Sequence, residues 1–239
     1  MSDLKSGNKE KKMYHKTLPE FLQSCKIEKN DKTTPTHTVL GNKDLDIFSG
    51  KYNISEEKKE FFYELYCKWI FKWEEPHHLT EKHHDEYSPV LIDLDFRYNK
   101  PDKNIEERKY NVEDIIFFLS KFLQILSSYI EIDEKDKTVF IMEKSSPIYD
   151  EDKKIMKDGV HIIMPNIVSK YEPLFLTRYE ILKDESIINK FKEIGFTNPI
   201  DDIVDEAVIK RNNWFMYGSC KPGKESYEIT NTIQFDDSG

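Results

Sequence analysis

Two carboxylates set two residues apart in an otherwise apolar run, Val90-Leu91-Ile92-Asp93-Leu94-Asp95-Phe96, are the sharpest chemical feature of the chain. On a β-strand alternate side chains share a face, so Asp93 and Asp95 leave the same side ~7 Å apart. Carboxylates that close repel unless they are hydrogen-bonded, protonated or bridged by cations. Hard oxygen donors at that spacing suit Mg2+ or Mn2+, and could serve a pair of ions ~4 Å apart. The alternative is a strand running out into solvent, its acids satisfied by Arg97 or Lys100. A second feature is Gly159-Val160-His161-Ile162-Ile163-Met164, an apolar strand with one imidazole. A lone histidine there is commonly a satisfied structural group. Gly159 permits close approach of a ligand, and Lys157 lies just upstream. A third joins Asp205 to the stretch 207–224, where Lys210, Arg211, Lys221 and Lys224 stand without an acid among Trp214, Phe215 and Tyr217. Such local charge suits phosphate or nucleotide binding; a solvated face with core aromatics is the plainer reading.

The elements that must position these residues follow from periodicity. Residues 88–98 read as a central strand with Pro89 at its start. Residues 111–130 read as a well-buried helix capped by Asn111, 137–143 and 158–165 as strands, and 172–195 as helix, in two pieces, stopped by Gly195. Residues 204–219 read as one or two strands broken near Arg211–Asn213. The order β-α-β-β-α-β is the split βαβ arrangement, a sheet with two helices on one face. Upstream, residues 55–73 predict an amphipathic helix with Phe61, Phe62, Leu65, Tyr66, Trp69, Ile70 and Trp73 at helical spacing, closed by Pro76. Residues 30–53 read as loops, and 1–16, with five lysines, as a disordered basic leader.

Composition narrows the class. The 239 residues are 38% hydrophobic, 13% aromatic and 34% charged, enough for one large domain or two small ones. No apolar run approaches the ~20 residues of a membrane span, and the start lacks a secretory signal. Cys25, Cys67 and Cys220 lie far apart, which fits a reducing, intracellular setting. A net charge of −9 argues against passive coating of nucleic acid, though not against an enzyme whose acids hold cations. Two decoys drop out. Gly218–Lys224 matches the first seven positions of a phosphate-binding P-loop, but the eighth is Glu225 rather than Ser or Thr, and an alternating strand-like run follows. His77, His78, His83 and His84 have no nearby cysteine, so no zinc is assigned.

Asp93-Leu-Asp95, Gly159-Val-His161, and Asp205 followed by Trp214-Phe-Met-Tyr-Gly-Ser-Cys-Lys-Pro resemble, in order, the three motifs of the archaeo-eukaryotic primase (primase-polymerase) superfamily. IDLDFRY, GVHIIMP and NNWFMYGSCKP look most like the primase portion of primase–helicases from nucleo-cytoplasmic large DNA viruses; the likeness spans roughly residues 78–222. It implies an α+β fold, a primase catalytic core with a ferredoxin/RRM-like βαββαβ unit over residues 86–239, preceded by a helical N-terminal module over 17–85. It implies a DNA-directed nucleotidyltransferase making primers on single-stranded DNA by two-metal phosphoryl transfer. Asp93, Asp95 and Asp205 would hold two Mg2+ or Mn2+ ions, with Asp201 and Asp202 as fallbacks for the third acid. His161, Ser219, Lys221 and Arg211 would bind nucleotide. The family often has Ser where this chain has Gly159, which removes one hydroxyl contact. Implied partners are the single-stranded template, nucleoside triphosphates and a C-terminal helicase domain missing from this stretch, so the chain reads as an N-terminal portion of a longer protein. If viral, it would work in host cytoplasm or a replication factory, with no membrane. A two-metal nuclease using the same acids, and a non-catalytic single-strand-binding module, are the alternatives.

Overall fold

The structure, a computed structural model, describes residues 17–73, 78–83, 86–99 and 107–236. The expected leader, Pro76, His77, His84, Lys100 and the Trp73 side chain lie outside the described residues. In chain order the elements are α1 (Leu18–Ser24), β1 (His37–Val39), β2 (Gly50–Tyr52), α2 (Glu56–Trp73), β3 (Leu79–Glu81), β4 (Ser88–Asn99) and α3 (Val112–Leu126). There follow β5 (Thr138–Glu143), β6 (Ile148–Asp150), β7 (Ile155–Ser169), α4 (Tyr171–Ile181), α5 (Glu185–Ile194), α6 (Ile200–Ile203), α7 (Ala207–Lys210), β8 (Trp214–Phe215) and β9 (Glu228–Gln234).

The larger sheet has the order β4-β7-β5-β9, with β6 also on β7, all antiparallel. Alternation from Val90 onward decides its faces, although Leu91 is buried on the face opposite Val90. On β4, Val90, Ile92, Leu94, Phe96 and Tyr98 are buried in the main core; on β7, Val160, Ile162 and Met164 join them. Against that face pack α3, whose Asn111–Asp114 capping box closes both free N–H groups, and α5, which stops at Gly195 with φ 93°. Phe96 stacks on Phe196 at 4.1 Å and meets Phe191 edge-on. The even-numbered positions of β4 being fixed in this core, Asp93 and Asp95 must face the other way; a one-residue slip would bury both.

A second sheet, β2-β1-β3-β8, packs with α1 and α2 around Leu18, Phe21, Leu22, Ile54, Phe62, Leu65, Tyr66, Leu79 and Met216. The region expected to be helical therefore also contributes strands, and two of its three, β1 and β2, come from residues expected to be loops. Three-residue strands carry too little alternation to be read.

The expected last strand of the βαββαβ unit is largely replaced. At the free edge of β4 only Val204 bridges Leu94, and the Asp205 N–H donates to the Asp93 carbonyl at 3.0 Å. The chain then turns, the Asp205 carboxylate accepting the Ala207 N–H at 2.9 Å two residues on, and enters the short α7, whose N-cap residue Glu206 makes no side-chain cap. Only Trp214–Phe215 returns to extended form, and it pairs with β3 of the second sheet. Among the described residues, no helix is long and apolar enough to cross a membrane.

Candidate active site

The polar face of the large sheet and the edge of the small one enclose a cleft of about 590 Å³. Asp93, Asp95, Asp205, His161, Arg211, Ser219 and Lys221 all line it, together with Lys144, Lys224, Glu225 and Tyr227. The β4–β7 register pairs Asp93 with His161 and Asp95 with Gly159. A Cβ at Gly159 would lie 2.8 Å from the Leu94 carbonyl and 3.1 Å from the Tyr227 hydroxyl, so a side chain opposite Asp95 requires a shift in backbone.

Electrostatics on this floor is strained. Burial first, then repulsion from Asp95 and Asp205, pushes the Asp93 carboxyl up to about 8 against the pull of Lys221 and Lys144. Asp95 opens to solvent in the cleft, yet the walls around it and then Asp205 raise it too. The Asp93 Oδ1 atom is buried without a hydrogen bond. His161 Nε2 stands 3.6 Å from it, too far to bond. Burial, then Lys144 and Lys221, hold His161 down at about 3, so its ring is neutral and the contact is no ion pair. The imidazole is clamped between Tyr227, stacked at 3.6 Å and 13°, and Trp214 at 4.5 Å. Lys144 Nζ lies 4.7 Å from the Tyr227 ring. Burial first and then Lys221 depress the Lys144 ammonium. Ser145 N–H and Oγ donate to the Glu225 carboxylate at 3.2 and 2.9 Å, which clasps the turn bearing Lys144 to the loop bearing Lys221 and Lys224.

The acids do not close on one point. Among the described residues no three His, Cys, Asp or Glu side chains form a ready metal-ligating group as they stand. Their chemistry nonetheless suits a hard divalent cation: three mutually repelling carboxylates face one cleft, and one buried oxygen lacks a partner. Asp205 keeps one oxygen on the Ala207 N–H. The fallback acids lie elsewhere: Asp202 pairs with Arg97 at 3.3 Å, and neither it nor Asp201 lines the cleft.

Of the nucleotide-binding candidates, Lys221 lines the cleft and acts on the acids. The Ser219 hydroxyl is buried, bonded to the Tyr66 hydroxyl at 2.8 Å and accepting the Leu79 N–H at 3.2 Å. Arg211 is largely exposed and pairs with Glu206 at 3.3 Å. His78 and His83 are spent on backbone carbonyls, at Cys220 and Asn212 respectively. Sequence reasoning missed Lys144 and Tyr227. Lys144 follows Met142, the partner of His161, by two residues, so its position was legible only once β5 was known to pair with β7.

The family model described as the C962R protein N-terminal AEP domain, an archaeo-eukaryotic primase type, matches residues 41–233. A helicase-named protein of Acanthamoeba polyphaga mimivirus, L207/L206, is 30% identical over 207 residues, covering 85% of this chain and 20% of its own length. A helicase-named protein of Invertebrate iridescent virus 6, 184R, is 26% identical over 226 residues, covering 86% of this chain and 22% of its own length. The chain thus spans about a fifth of the length of these relatives.

Proposed function

Because the chain belongs to the C962R-type N-terminal domain family of archaeo-eukaryotic primases, we propose that it synthesises primers on single-stranded DNA, as the primase portion of a viral replicative primase–helicase. The observation that carries this reading is the division of one cleft. Asp93, Asp95 and Asp205 occupy its floor, and the lysines 144, 221 and 224 line it beside them.

The acids of the floor are the groups to hold Mg2+ or Mn2+. When bound, a pair of such ions supplies activation of the attacking 3′-hydroxyl and neutralisation of charge developing on the α-phosphate. The chain's own residues do the positioning. Lys144, Lys221 and Lys224 balance the triphosphate's negative charge and set its line of approach. His161, neutral and fixed in plane by Tyr227 and Trp214, offers an N–H donor to a phosphate oxygen without adding charge. Ser219 acts indirectly, holding the 218–224 loop to β3 and α2.

The test is template-dependent synthesis on single-stranded DNA without primer, with labelled nucleotides and Mg2+ or Mn2+. Short products that vanish in the Asp93→Ala/Asp95→Ala variant are expected. Degradation of the template without nucleotide incorporation would assign the same acids to a nuclease instead. His161→Ala is expected to raise KM for nucleotide by about tenfold with a smaller change in kcat, the loss of one phosphate hydrogen bond. An unchanged KM would remove His161 from the triphosphate site.

A further inference from the structure

Phe71 and Tyr217 stack on each other at 5.8 Å with ring planes 27° apart, yet they remain 65% and 37% exposed. Phe62, Leu65 and Tyr66 turn the buried face of α2 into the small core; Phe71 is on the other side, where burial does not explain it. The pair is built rigidly. The Tyr66 hydroxyl donates to the Tyr217 carbonyl at 2.8 Å. Gly218 takes φ +77°, and a Cβ there would lie 2.5 Å from Ile70 Cγ2, so only glycine lets the loop press Tyr217 against α2. Lys68, three residues before Phe71 on the same side of the helix, is exposed and lies 4.0 Å from Glu64, and Lys72 is exposed on the adjoining flank. Downstream, the same loop runs into Lys221 and Lys224 of the cleft, at most about 14 and about 25 Å of chain beyond Tyr217.

We propose that Phe71 and Tyr217 form a stacking platform for a base of single-stranded nucleic acid at the approach to the cleft. This rests on the nucleic-acid reading above and adds a contact surface to it. Every base presents a π-face, so two fixed rings suit a single strand irrespective of sequence, with Lys72 on the flank and Lys221 and Lys224 along the same loop available to its phosphates. A protein partner is the poorer match, because the cores of such interfaces are depleted in lysine.

The test is anisotropy of a short fluorescein-labelled oligothymidylate with the whole chain. Phe71→Ala/Tyr217→Ala is expected to weaken binding about tenfold or more, while Phe71→Trp/Tyr217→Phe restores it. Tyr179→Ala is the control: Tyr179 is an exposed ring with Lys183 Nζ 3.4 Å from its centroid, on α4, and its loss should change nothing. Affinity for a fluorescent nucleoside triphosphate should be the same in all variants, since neither ring lines the cleft. An alanine pair that keeps full oligonucleotide affinity, or a wild type that does not bind the strand, overturns the platform. Loss of self-association with unchanged strand binding would also overturn it, assigning the pair to a protein contact. Weakened strand binding in a protein that incorporates no nucleotide would uphold the platform and sink the primase reading alone.

Discussion

Asp93→Asn is expected to abolish nucleotide incorporation, by about a thousandfold or more, while raising the melting temperature of the metal-free protein at pH 8. Both effects come from one charge. Burial and two neighbouring acids lift the Asp93 carboxyl from 3.8 to about 8 in the fold. Between those values the folded chain keeps a proton that the unfolded chain releases, so stability falls as pH rises through that window. Asparagine has the same shape and no charge to titrate. Its advantage should be absent below about pH 4, grow through neutrality and reach a few kcal/mol near pH 8, roughly 5 °C or more for a chain of this size. Divalent cation should raise the wild-type melting temperature at pH 8 and leave the variant unmoved, which separates ligand binding from simple repulsion. The carboxyl whose charge costs stability also has one buried oxygen, Oδ1, without a hydrogen bond, as expected of a group arranged for a ligand. Melting curves that coincide at every pH would overturn the electrostatic account; retained synthesis would overturn the site.

That account was partly readable from the sequence. The two-residue spacing of Asp93 and Asp95 inside an apolar strand fixed their common face, because the alternate residues Ile92, Leu94 and Phe96 had to be core. Gly159 and His161 were legible as the odd residues of a second strand. Their pairing with Asp95 and Asp93 was not, since register is decided between strands over sixty residues apart in the chain. Lys144 and Tyr227 escaped for the same reason. Each follows or precedes an ordinary strand, and only the β4-β7-β5-β9 order brings them to one cleft. The stretch after Asp205 misled because Val208 and Ile209 favour strands, while the carboxylate of Asp205 takes the Ala207 N–H into a local turn that runs into α7. A local hydrogen bond won over side-chain preference. The role of Ser219 was similarly invisible: nothing in its neighbourhood announces that Tyr66, far upstream, takes its hydroxyl.

Arg108, which belongs to no motif, carries the second large expectation. Its guanidinium donates to Asp158 Oδ1 at 2.6 Å and to the Tyr110 hydroxyl at 2.7 Å, lies 3.5 Å from Glu143, and donates to the Lys144 carbonyl. Asp158, next to Gly159, is only 2% exposed at its side chain, and burial lifts its carboxyl despite the arginine. Removing one partner of such a buried pair strands the other, so Arg108→Met should cost about 3–5 kcal/mol and lower the melting temperature by roughly 10 °C. Adding Asp158→Asn removes the stranded charge and should recover much of that loss. The two variants then separate folding from function. Arg108 also fixes the backbone from which Lys144 reaches the cleft, so KM for nucleotide should stay raised in the double variant even where it is fully folded. A KM that recovers together with stability would make Arg108 a structural residue only; a single variant within about 1 kcal/mol of wild type would mean that solvent already screens the pair. Either result is readable from melting curves and steady-state kinetics on the same three proteins, because Asp158 stands on the face of β7 that carries Val160 and Ile162, and His161 on the other.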